Sequence, residues 1–95
     1  MSIRKRWPFN ERMVRDAPDC RGIYVLWQDD VPLAVGHAPG GTDSIQSRLL
    51  AHLERGTSAV THYSWEICAE PARRRPAVER ELGLRRAGLA SEEAS

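Results

Sequence analysis

Four side chains in this sequence are of types suited to attack on a phosphodiester. Tyr24 sits in the run Ile23 to Gln28, Arg48 and His52 stand four positions apart, and Glu79 falls three residues before Leu82. Hydrolysing such a bond needs an activated nucleophile, neutralisation of the charge that grows on the phosphoryl oxygens, and help for the departing oxygen. The phenol of Tyr24 could orient or deprotonate a water if a nearby cation lowered its pKa from about 10. Arg48 offers a permanent charge in a planar fork that matches phosphate oxygens, and a four-residue spacing puts it on the same helical face as His52. Glu79 supplies a hard carboxylate oxygen of the kind that holds one Mg²⁺ or Mn²⁺ ion.

Each of these residues also has an ordinary structural reading. Tyr24 could pack as a strand aromatic. Arg48 could pair with Asp43 or Glu54, His52 could be a satisfied bystander, and Glu79 could, like Glu81, simply offset neighbouring arginines. Other chemistries find less support. Cys20, Cys68, His37, His52 and His62 include no close pair of the sort that structural zinc sites favour, and the loop Pro39-Gly40-Gly41 lacks the lysine and hydroxyl residue of a phosphate-binding loop.

The pattern of apolar residues indicates which elements must position the four. Ile23, Val25 and Trp27 alternate with Tyr24, Leu26 and Gln28, which is the two-residue period of a strand. Asp29 and Asp30 make a turn, and the run Val31 to Gly36 returns as the second arm of a hairpin, with Pro32 near its start or on an edge. Thr42 or Asp43 can cap a helix carrying Ile45, Leu49 and Leu53, which Gly56 ends. Thr61 to Cys68 alternate as a third strand. Pro71 and Pro76 are both helix-start prolines for a last helix, buried along Val78, Leu82 and Leu89 and weakened by Gly83. Near the N-terminus, Pro8 opens a short helix through Phe9, Met13 and Val14 that closes before Pro18. The expected fold is therefore α+β, a small three-stranded antiparallel sheet flanked by helices. Residues 1–20 form a basic segment with a short helix, 21–90 the domain proper and 91–95 a flexible tail.

Gly22-Ile23-Tyr24 on the first strand, Val35-Gly36 closing the second, Arg48 and His52 in SRLLAHL, and Glu79 in VERELG together resemble the core signature of the GIY-YIG nucleases. The resemblance runs from about Arg21 to Arg86. It implies a divalent-metal-dependent endonuclease that cuts DNA, with Tyr24, Arg48, His52 and Glu79 as the catalytic set and a single ion on Glu79. DNA, branched and damaged forms included, is the implied partner. The sequence departs from the family at one position: Ala34 stands where the second motif has its tyrosine, and His37 is the polar candidate left in that region. The alternative is a degenerate copy that binds nucleic acid, or a protein through Trp7, Trp27 and Trp65, without cutting.

Composition fits this picture. The chain has 95 residues, 41% hydrophobic and 28% charged, enough for one modest core. The formal charge of +1 conceals segregation, because arginines crowd both ends. If the ends fold together, Arg21, Arg73, Arg74 and Arg75, with His37, are the candidates for contact with a phosphate backbone. No segment reaches the roughly 20 apolar residues of a membrane span. The start lacks an apolar leader, and Cys20 and Cys68 read as reduced thiols, so a cytoplasmic protein is expected.

Overall fold

A computed structural model describes residues 3–56 and 59–84. Its frame is the hairpin of β2 (Gly22–Gln28) and β3 (Val31–Ala38), in which Tyr24 faces Gly36 and Leu26 faces Ala34. The turn places Asp29 at φ 55°, a left-handed conformation that a short polar side chain tolerates. The register shifts after Leu26, so that Trp27 meets Pro32. β3 is an edge strand, a position in a sheet where proline is tolerated. On its other side β2 pairs antiparallel with β4 (His62–Ile67).

The sheet has four strands, one more than expected, in the order β1-β4-β2-β3. The addition is β1 (Trp7–Pro8), which lies beside β4 with Trp7 opposite Tyr63. Pro8 therefore ends an edge strand and opens no helix. The short helix α1 (Glu11–Val14) is begun by Asn10, whose side chain accepts from the Met13 N–H at 2.9 Å. An asparagine cap satisfies an orphan donor, which a proline cannot do.

The central strand β2 is buried on both faces. Tyr24 and Leu26 pack with Val14, Ile45, Leu49 and Tyr63 on one side, and Ile23, Val25 and Trp27 pack with Ile3, Val35 and Val78 on the other. Full burial of each such aliphatic side chain contributes about 1.5–3 kcal/mol. Ile3, Val14 and Ala17 are buried, so the basic N-terminal segment supplies core residues as well as charge.

Helix α2 (Ile45–Arg55) covers the first face. Ser44 caps it, its hydroxyl accepting from the Ser47 N–H at 3.1 Å, in place of the expected Thr42 or Asp43. Gly56 ends it at φ 73°. A Cβ on Gly22 would run into the Ile45 side chain and the Glu66 carbonyl, so this glycine lets the start of α2 settle on the sheet. Helix α3 (Pro71–Glu81) covers the second face through Val78. Pro71 opens it as expected, but Pro76 lies inside it, where it forgoes one backbone bond. Gly83, at φ 77°, follows the helix instead of interrupting it. Leu89 and the tail 91–95 lie outside the described residues. Among those described, no helix is long and apolar enough to cross a membrane.

Candidate functional site

A cavity of about 420 Å³ opens at the β3 edge of the sheet, between α2 and the first half of α3. Its walls bring together Tyr24 from β2, Arg48 and His52 from α2, His37 from β3 and Arg75 from α3. Three of the four expected catalytic residues thus share one space.

Tyr24 is 5% exposed and its hydroxyl lies 3.1 Å from His52 Nε2. The two rings meet edge to face with centroids 5.6 Å apart. The ladder makes this possible, because Gly36 sits opposite Tyr24 and a Cβ there would collide with the phenol ring and hydroxyl. The glycine of the second motif is therefore a requirement of tyrosine placement. Burial raises the Tyr24 pKa above 10.0, while the charge and hydrogen bonding of Arg48, then the charges of Arg75 and Arg55, pull it down without reversing the shift. The arginines therefore do not meet the condition for a phenol that deprotonates water, and the phenol is protonated at neutral pH. Burial lowers the His52 pKa below 6.5, reinforced by the charges of Arg55 and Arg48. In the tautomer protonated on Nδ1, the neutral imidazole offers a bare Nε2 that can accept from the phenol.

Arg48 faces the same cavity and pairs with Asp43 at 3.6 Å, the contact its ordinary reading anticipated. Both side chains are over a third exposed, so the pair contributes little to stability and leaves Arg48 available to an anion. His37 reaches the cavity around the edge strand, with Nδ1 3.4 Å from an Arg75 guanidinium nitrogen. Burial, then Arg75 and Arg48, hold its pKa below 6.5. Ala34 also lines the wall, so the position that carries a phenol in the GIY-YIG signature presents only a methyl here.

Glu79 lies one helical turn from Arg75, whose Nε donates to its Oε2 at 3.2 Å. Glu81 instead faces Arg74, at 3.9 Å. Of the two glutamates, Glu79 therefore shares a helix face with a cavity residue. Among the described residues no three His, Cys, Asp or Glu side chains gather as a metal cage. Glu79 itself does not line the cavity, and its carboxylate is taken by Arg75.

Of the expected phosphate contacts, Arg21, Arg73 and Arg74 lie outside the cavity. Arg21 donates to the Ala69 carbonyl at 3.3 Å and borders a second, shallow hollow with Cys20 and Cys68. Arg73 is exposed and bound to Glu70 at 3.1 Å. Arg74 forks onto the Glu66 carboxylate at 2.7 and 3.0 Å. Only Arg75 of that arginine run lines the cavity, because a helix turns consecutive side chains by about 100°. Sequence reasoning passed over Arg55, which also lines the cavity. Its signal was available: Arg55 continues the spacing of Arg48 and His52 by a further three residues, on the same face.

Comparison of the chain with protein-family models, with curated proteins and with solved structures found no match in any of the three.

Proposed function

We propose that the cavity binds a phosphodiester of nucleic acid and that the chain is a small GIY-YIG-like endonuclease, acting on DNA with Mg²⁺ or Mn²⁺. The observation that carries this reading is the Tyr24 hydroxyl held 3.1 Å from His52 Nε2 in a cavity also lined by Arg48. A protonated phenol is a poor base, but a phenol bonded to a neutral imidazole can relay a proton. As the attacking water gives its proton to the Tyr24 oxygen, the phenol proton passes to His52 Nε2, and the water oxygen bonds to phosphorus while the P–O bond breaks, its electron pair leaving with the departing oxygen, which takes a proton from solvent. Arg48 offsets the charge gathering on the phosphoryl oxygens. Glu79 is the residue that would hold the cation, which when bound supplies Lewis-acid neutralisation of the same oxygens. Two free thiols suit a cytoplasmic setting, which belongs to this reading.

Ala34 favours a second reading, in which the cavity binds the phosphate backbone without cutting it, because the methyl leaves part of the wall without a group to hold the nucleophile. Supercoiled plasmid incubated with Mg²⁺, with Mn²⁺ and with chelator separates the two, run beside Tyr24→Phe and Glu79→Ala. Metal-dependent nicking that disappears in both variants supports the endonuclease. Absence of nicking with salt-sensitive DNA binding retained supports the binding module.

A further inference from the structure

The cavity holds three guanidinium groups, and two of them already have acidic partners. Arg48 stands 3.6 Å from Asp43, and Arg75 stands 3.2 Å from Glu79. Arg55 lines the same wall, is exposed, and makes no ion pair among the described residues. Tyr24, His37 and His52 are neutral at pH 7, so the unbalanced positive charge of the cavity is that of Arg55. On α2, Arg48, His52 and Arg55 follow at intervals of four and three residues, which aligns them in a stripe with the Tyr24–His52 contact between the two arginines. Along the axis the arginines are separated by about 10 Å. Their long side chains can close that distance to the spacing of neighbouring phosphates on an extended strand.

We propose that Arg55 is a second phosphate-binding residue, so that one strand lies along α2 with one phosphate at Arg48 and the next at Arg55. The inference rests on the cavity being a phosphate site, and it adds a requirement that site alone does not make: the preferred ligand carries two successive phosphates. A mononucleotide or an isolated phosphate can engage only one of the two arginines at a time. A cation in the last turn of a helix also complements the helix dipole, and this alone would make Arg55 a stabilising residue without a ligand.

The test is binding in the presence of chelator, so that cleavage plays no part. Proton NMR titrations at low salt compare a thymidine dinucleotide, which has one internucleotide phosphate, with a trinucleotide, which has two. In the wild-type chain the second phosphate is expected to tighten binding about tenfold, the worth of one charge-assisted contact. In Arg55→Gln that gain falls below about twofold while dinucleotide affinity is kept, and Arg55→Lys recovers most of it. The dependence of affinity on salt also weakens in Arg55→Gln, by about 0.7 in logarithmic slope. A gain that survives in Arg55→Gln overturns the inference and leaves the phosphate site standing, and a lowered Tm with an unchanged gain assigns Arg55 to the helix alone. Failure of the wild-type chain to bind either oligonucleotide overturns the inference together with the reading it rests on.

Discussion

Gly36 and Tyr24 face each other across the hairpin, and the phenol occupies the space that any side chain at Gly36 would need. A backbone position without a Cβ thereby sets where a hydroxyl lies relative to His52, on a different element. Gly36→Ala should therefore act as a mutation of the site. The added methyl must push the Tyr24 ring or spread the hairpin, at a cost of about 1–3 kcal/mol. Urea denaturation measures that loss, and nicking or oligonucleotide binding should fall with it, whereas a chain of unchanged stability and binding would show that the ring has room to move.

If the chain is the endonuclease proposed above, the wall position of Ala34 allows a second phenol to be supplied. Ala34 lies two residues from Gly36 on the same strand, hence on the same side of the sheet, and borders the cavity. Ala34→Tyr should raise the initial nicking rate about tenfold or more over the wild-type chain, in the range of a positioned acid, base or donor group. An unchanged rate would locate the limiting step elsewhere.

Both cavity histidines have pKa values held below 6.5 by burial and by nearby arginines. Between the lowered folded values and about 6.5 the unfolded chain binds more protons, so stability is fully present above about 6.5 and is lost as the pH falls through the folded values. Thermal unfolding should give a lower Tm at pH 5 than at pH 7.5. His52→Gln, which cannot titrate, should show a shallower decline. Protonation of His52 also removes the acceptor at Nε2, so nicking should fall over the same window.

The arginines of α3 divide by direction. Arg75 lines the cavity, while Arg73 is exposed and bound to Glu70. Arg75→Gln should weaken oligonucleotide binding about five- to tenfold, and Arg73→Gln should leave it within about twofold, since an exposed pair outside the cavity contributes little. Equal losses in the two variants would mean that the general basic charge of the helix, and not the cavity, attracts the ligand.

Local pattern determined a good deal about this protein. The alternation Ile23 to Gln28 announced a strand, and the four-residue recurrence Ile45, Leu49, Leu53 with Gly56 behind it announced a helix, because each period reflects a backbone geometry a few residues can express. The spacing of Arg48, His52 and, unremarked, Arg55 put all three on one face for the same reason. What local pattern could not express was pairing between distant segments. Trp7 and Pro8 became a strand only because β4 offered an open edge, fifty-odd positions along the chain. The Tyr24 pKa rises instead of falling because burial in the assembled core outweighs the arginines, a balance of desolvation against charge that no single segment contains. Which arginines matter was also decided in three dimensions: Arg74 is taken by Glu66 from a neighbouring strand, while Arg75, one residue on, is turned to the cavity. Sequence supplied the groups and their faces; only the folded chain, by bringing α2, α3 and the sheet edge together, determined which of them share a space and with what charge.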